Sequence, residues 1–227
     1  MEIIEAIMKR KSIRDFKPDS ISKEVLEKIL EISVRSPSGV NKQPWEFAIL
    51  TGEVLENIKS GNVEAYESGK KGDYGRGGAL DSIYRDRQVN LAKELFRLMD
   101  IQREDQEKRA EWLKCGYRYF NAPAAIIILV DEIFPEPGPL MDIGAVIQTL
   151  CLAALHYEFG TCITAQGKAY PDVIRKYADI PTSKRMVMAI AIGYPNWDYP
   201  ANKIETPREP VKNITTWHGF SDPHLPR

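Results

Sequence analysis

Apolar positions recur along the chain at two periods, and the period separates the elements. Near the N-terminus Ile3, Ile4 and Ile7 fall at helical spacing and Lys9, Arg10 and Lys11 collect at the end of the run, which predicts a helix over Ile3–Arg10. A second helix is predicted from Ser22, a good N-cap, through Val25, Leu26, Ile29, Leu30 and Ile32 to Arg35, with Ser36-Pro37-Ser38-Gly39 stopping it. From Trp45 to Thr51 the pattern alternates and then turns apolar, the mark of a strand, and a short helix over Glu53–Lys59 follows. Helical spacing resumes over Ser82–Met99, where Val89, Ala92, Leu95, Phe96 and Met99 share a side, and over Glu104–Tyr119. Pro123–Val130 is continuously apolar, as a strand buried on both faces requires, and Met141–His156 is too apolar all round for a surface helix. A short strand over Thr161–Ala165, a helix over Pro171–Tyr177 and a buried strand over Met186–Ile192 complete the series.

Two stretches break the pattern. Six of the 15 glycines lie between Gly61 and Gly78, together with Lys70-Lys71 and few aliphatic residues, which reads as a mobile loop. After Gly193-Tyr194-Pro195 the chain carries Pro200, Pro207, Pro210, Pro223 and Pro226 and little apolar periodicity, so the tail from Asn196 cannot dock as a helical unit of its own. Trp197, Trp217 and Phe220 in that tail call for another surface, and an intertwined oligomer supplies one. The element order lacks regular βαβ alternation and there is no G-x-G-x-x-G, so an α+β domain is expected rather than a dinucleotide-binding α/β fold. No linker separates two cores, and 227 residues suit one domain.

Composition narrows the function classes. With 31 Lys+Arg against 32 Asp+Glu the net charge is −1, which gives no general field for nucleic acid or an anionic membrane, so any anion site is local. The longest wholly apolar run, Ala124–Val130, is far short of the ~20 residues of a spanning helix, and the acidic start Met-Glu-Ile-Ile-Glu has no basic export region; a cytoplasmic location is expected. Cys115, Cys151 and Cys162 form no CxxC pair and read as free thiols, with Cys162 a poor nucleophile for want of a His and acid nearby. His156, His218 and His224 are too scattered for a metal site or a hydrolytic triad.

Four features can carry chemistry. Arg10-Lys11-Ser12-Ile13-Arg14 places three cations and a hydroxyl at a helix end, where they can hold a phosphate or simply complement the helix C-terminus. Ser36-Pro37-Ser38-Gly39-Val40-Asn41-Lys42-Gln43-Pro44-Trp45 sets polar side chains between two prolines, suited to reading the edge of a flat heterocycle, or to capping a loop. Gly160-Thr161-Cys162-Ile163-Thr164-Ala165-Gln166-Gly167 ends a buried strand and offers rigid donors, or plain turn chemistry. Arg208 stands in the tail with Lys203 upstream, where an isolated arginine is usually just solvated.

In their order and wording these features resemble the FMN-dependent nitroreductase superfamily: Arg-Lys-Ser-Ile-Arg, then Ser-Pro-Ser-Gly-x-Asn-x-Gln-Pro-Trp, the Gly-Thr-Cys turn, and Gly-Tyr-Pro before a late Arg, over about residues 3 to 211. The resemblance implies a nitroreductase-like α+β fold with a mixed, largely antiparallel central sheet flanked by helices, in an intertwined homodimer with FMN at the interface. It implies one domain over 1–227, with a loop and helical lid insertion at about 61–119 and a C-terminal extension over 196–227 that wraps the partner. Arg10, Lys11, Ser12, Arg14 and Arg208 would hold the phosphate and ribityl chain. Pro37, Ser38, Gly39, Asn41 and Gln43 would lie near the ring, Ser38 and Gly39 from the other subunit. Thr164, Ala165 and Gln166 would lie against the ring edge that accepts hydride. Where the superfamily often has Arg-Arg-Ser this chain has Arg10-Lys11-Ser12, which keeps the charge and loses one fork of donors.

The expected activity is NAD(P)H-driven reduction of bound FMN and then of a small planar nitroaromatic or quinone-like acceptor, in a ping-pong cycle with the flavin carrying the chemistry. Reductive dehalogenation or enone reduction, or flavin binding without turnover, are the alternatives. Val40, Tyr84, Arg85 and Arg87 are candidates for the acceptor: Tyr66, Tyr74 or Tyr84 as a stacking surface, and Arg85 or Arg87 as the partner of a substrate carboxylate, although a charged helix face gives the same sequence.

Overall fold

A computed structural model of the chain describes residues 2–73, 82–135 and 137–219. Strands β1 (Trp45–Thr51), β2 (Ala124–Asp131), β3 (Gly160–Thr164) and β4 (Lys184–Gly193) form one sheet in the order β1-β2-β4-β3, with every pairing antiparallel. A parallel contribution is confined to an isolated bridge from Ser12 to Thr161 on the outer edge of β3. The α+β expectation stands.

The side-chain period of a strand sorts β2 and β4 into two packed layers. Ala124, Ile126, Ile128 and Val130, with Ile190 and Ile192, face helix α6 (Leu140–His156) and helix α2 (Lys23–Ser33). Ala125, Ile127 and Leu129, with Ala189 and Ala191, face the other way, onto Leu55 and Ile58 of α3 (Gly52–Glu67) and Ile174 of α7 (Pro171–Tyr177). Burial on both faces is why these strands carry no polar alternation. Helix α2 starts where expected, with the Ser22 hydroxyl accepting from the Val25 N–H at 3.4 Å. Helix α1 (Ile3–Lys9) buries only Ala6 and leaves Ile3, Ile4, Ile7 and Met8 exposed.

The loop expected over Gly61–Gly78 is corrected in its first part. Helix α3 runs on through Gly61 to Glu67, burying Leu55, Ile58, Lys59, Asn62 and Ala65 on one face. Gly61 is a contact glycine: a Cβ there would lie 2.7 Å from Val173 Cγ1 of α7. Gly69, at a φ of +76°, lies just past the end of α3, the place where glycine stops a helix. The rest of the expected loop, from Tyr74 onward, lies outside the described residues.

The insertion continues as α4 (Ser82–Leu98) and α5 (Gln106–Tyr117). Here the reading of the tail is also corrected. Residues 196–204 dock on their own chain: Ala201 and Ile204 are buried with Leu95, against Leu91, Leu98, Met99, Trp112 and Tyr199. The sequence hid this because the apolar residues sit in a short turn, Pro200–Lys203, with no helical or strand period. Beyond it the tail carries a short helix α8 (Val211–Ile214) with exposed Val211, Ile214 and Trp217. Among the described residues no helix is long and apolar enough to cross a membrane.

Candidate functional site

The cationic turn is built on the outer edge of β3. Helix α1 ends at Arg10, whose N–H bonds Ala6 O at 3.0 Å, and the chain then runs alongside β3, with the Ile13 N–H donating to Thr161 O at 2.9 Å. Ile13 is buried, and Gly160 lets it approach: a Cβ on Gly160 would meet Ile13 Cγ1 at 2.5 Å. The buried isoleucine anchors the turn while its neighbours Arg10, Lys11, Ser12 and Arg14 remain partly accessible.

These residues differ in their charge partners. Lys11 lies 3.7 Å from Glu205, while among the described residues neither Arg10 nor Arg14 pairs with a carboxylate. Arg14 Nη1 donates to Ser12 O at 3.3 Å, and burial draws its guanidinium below the usual pKa, with Cys162 acting weakly the other way. A partly desolvated cation without a counter-ion is a ready partner for an anion, and two arginines, a lysine and a hydroxyl within five residues are the donor set a phosphate takes. Burial also pushes the Cys162 thiol up to about 11, so it is a neutral core group, not a nucleophile.

The polar loop after α2 is fixed to the start of α6. The Ser36 hydroxyl meets Thr149 Oγ1 at 2.7 Å, and the Gly39 N–H donates to Asp142 at 3.2 Å. Inside the loop Ser38 Oγ accepts from the Gln43 N–H at 3.0 Å, and Gln43 Nε2 donates to Asn41 O at 3.4 Å. Val40, Asn41 and Gln43 all have positive φ, at 47°, 59° and 49°. For a β-branched residue such as Val40 that is a costly conformation, and its side chain is 88% exposed. Pro37, Ser38, Gly39, Asn41 and Gln43 therefore form one strained, outward-facing group. The loop is thus tied to α6 at Asp142 and Thr149, and the cationic turn to β3 at Thr161.

At the other end of β3, Thr164 is buried and Ala165 opens the turn Gln166–Lys168. The Gln166 side chain is engaged with α5, its Nε2 donating to Leu113 O at 3.0 Å, so only its backbone remains for the expected role. Arg208 is exposed, and its Nη1 bonds Thr206 and Pro207 locally; no contact brings it to Arg14 within the chain. On α4, Arg87 Nη2 lies 2.6 Å from Glu209, and its guanidinium sits 5.8 Å from the Tyr84 ring centroid. Arg87 therefore has a carboxylate partner within the chain, while Arg85 and Tyr84 are exposed. Tyr66 stacks on Tyr117 with centroids 4.8 Å apart, and Tyr74 lies outside the described residues.

Several residues of this neighbourhood have no signature in the sequence. Asn202, wholly buried, accepts from the Arg14 N–H at 2.6 Å and donates to Asp15 O and Asn196 O, each at 2.8 Å. Asp15 takes Asn121 at 3.2 Å and Asn196 at 2.7 Å. Their partners are up to 188 residues distant, and only the fold brings them together.

The sequence and the fold have relatives among known proteins. The chain is 28% identical over 224 residues to a 4-nitrobenzoate reductase of Nocardioides sp. (strain LMS-CY), covering 96% of this chain and 90% of that one. It is 27% identical over 220 residues to a 4-nitrobenzoate reductase of Pseudomonas putida, covering 94% of each. The fold matches that of the FMN and NADPH-dependent nitroreductase NfnB from sphigopyxis sp. strain HMH with a TM-score of 0.91, at 24% identity, over 97% of this chain and all of that one. The profile described as Nitroreductase family matches residues 7–194, from α1 to the end of the sheet, and the chain belongs to that family.

Proposed function

We propose that the protein is an FMN-dependent oxidoreductase that draws reducing equivalents from NAD(P)H and passes them to small planar acceptors, nitroaromatic or quinone-like. The observation that carries this reading is the turn on the edge of β3, where Arg10 and the partly desolvated Arg14 stand without carboxylate partners among the described residues, beside Lys11 and Ser12. Those four residues, with Arg208 closing from the tail, hold the phosphate and ribityl chain. Thr164, Ala165 and the Gln166 backbone lie at the ring edge. The strained loop of Pro37, Ser38, Gly39, Asn41 and Gln43 comes from a second copy of the chain, with Val40 turned to the acceptor.

FMN held by these residues would supply the redox chemistry, linking the nicotinamide to the acceptor in a ping-pong cycle. The chain's own contribution is binding and orientation: the arginines neutralise the phosphate, and the end of β3 offers fixed donors. The similarity to 4-nitrobenzoate reductases and the exposed Arg85 favour acceptors that carry a carboxylate. The test is an anaerobic NADPH titration of the yellow protein, followed by mixing with 4-nitrobenzoate and with nitrobenzene. Bleaching by NADPH and reoxidation by the nitro compounds are expected, with kcat/KM favouring the carboxylate by roughly tenfold and Arg85→Ala erasing that preference. A protein that binds FMN yet is bleached by neither NADPH nor NADH would instead be a flavin-binding protein without turnover.

A further inference from the structure

Asn202 sits between the cationic turn and the tail, and its bonding is complete in a way that surface packing does not require. Its Oδ1 accepts from the Arg14 N–H at 2.6 Å, and both hydrogens of its Nδ2 are used, on Asp15 O and Asn196 O at 2.8 Å each. One N–H partner and two carbonyl partners admit a single orientation of the amide. The two contacts at Arg14 and Asp15 address consecutive residues, so they fix the backbone from which the Arg14 side chain departs. The Asn202 carbonyl also receives Lys11 Nζ at 3.5 Å.

Asn202 is itself held from the opposite side. Its short turn, Pro200–Lys203, is anchored by Ala201 and Ile204 against Leu95 of α4, and the Asn202 N–H bonds Tyr199 O at 3.0 Å. The apolar side of the turn grips the helical insertion and the polar side grips the cationic segment.

We propose that Asn202 is the positioning residue of the phosphate side of the site: it sets the Arg10–Arg14 segment in its anion-binding conformation before any ligand arrives. The inference rests on the reading of that segment as the FMN phosphate site. A buried amide that satisfies both donors and its acceptor lowers the ordering that binding must otherwise impose on the segment. It touches the backbone under Arg14 rather than the ring end of the site at Thr164 and Ala165, so its effect falls on the phosphate.

That distinction gives a readout which general loss of structure does not move. Full-length wild type, Asn202→Ala and Asn202→Ser are stripped of flavin and titrated with FMN and with riboflavin, which lacks the phosphate. The expected result is an FMN Kd raised about tenfold or more, with the riboflavin Kd changed by less than about twofold. An unchanged FMN Kd, or equal losses for both flavins, overturns the proposal. If neither variant folds, hydrogen exchange of the wild-type Arg14 amide decides it: protection already present without flavin is expected, and protection that appears only with FMN overturns it. Wild type that binds no FMN at all refutes the underlying cofactor reading instead.

Discussion

At the scale of single residues, burial sets the chemistry of the three thiols more than their neighbours do. All three are drawn upward in pKa, chiefly by desolvation, and Cys162, packed between the cationic turn and the sheet, reaches about 11 despite the opposing Arg14. An unfolded cysteine ionises near ~8.5. Above that pH the unfolded chain releases the proton while the native thiol keeps it, so the native state binds more protons and stability falls as pH rises. The loss begins near pH 8.5 and ends near 11, at no more than ~1.4 kcal/mol per pH unit from this one group. Buried Tyr119 and partly buried Tyr199 are shifted in the same direction, so the test is a difference: urea unfolding from pH 7 to 11 for wild type and Cys162→Ala, where the variant has the shallower decline. Parallel curves would mean that the Cys162 thiol already ionises in the folded protein. The inert character of Cys162 was legible in the sequence, from the missing His and acid. The roles of Asn202 and Glu209 were not, because a residue whose partners lie more than a hundred positions away leaves no local pattern.

At the scale of elements, glycine marks where sequence and structure part. A glycine supplies either a positive φ or close approach, and the two leave the same letter in the sequence. Gly69 is the first kind, while Gly61, inside α3, is the second, with Val173 Cγ1 occupying the place of its Cβ. Alanine is the better helix former by ~1 kcal/mol, so a loop or an open helix face would gain from Gly61→Ala. Here the branched Val173 cannot swing away, and the substitution is expected to destabilise by ~1–3 kcal/mol. Pairing it with Val173→Ala, which makes room, should recover part of that loss in thermal unfolding; equal stability of Gly61→Ala and wild type would remove α7 as the reason for this glycine. Strands β2 and β4 and helix α6 were legible because burial on all sides leaves a continuous apolar run. The two halves of the site were legible as motifs because each is contiguous in sequence. The elements that hold them, β3 for the turn and α6 for the loop, were not, since spacing in sequence carries no distance in space.

At the scale of the whole molecule, a single chain leaves much apolar surface open. Ile3, Ile4, Ile7 and Met8 of α1, Leu140 and Met141 at the start of α6, Val40 in the strained loop, and Val211, Ile214 and Trp217 in the tail are all exposed. An isologous dimer would cover such surface and bring the loop of one copy to the cationic turn of the other. The tail divides into two parts with different duties. Up to Ile204 it belongs to the core of its own chain, through the cluster with Leu95 and the bonds of Asn202. Beyond Glu205 the described residues include Arg208, the Glu209 pair with Arg87 and the exposed residues of α8. Two truncations should therefore behave differently. A chain ending at Ile204 keeps its fold, loses stoichiometric FMN with Arg208, and has a melting temperature that no longer rises with protein concentration as an obligate dimer's does. A chain ending at Pro195 also strips Leu91 and Leu95 of their cover and the Arg14 segment of its anchor. Losing a buried isoleucine alone costs ~2–5 kcal/mol, so it should melt roughly 4–20 °C below the longer truncation or aggregate. Calorimetry and sedimentation of the two chains at several concentrations make the comparison. Equal melting temperatures would show that residues 196–204 do not stabilise their own chain.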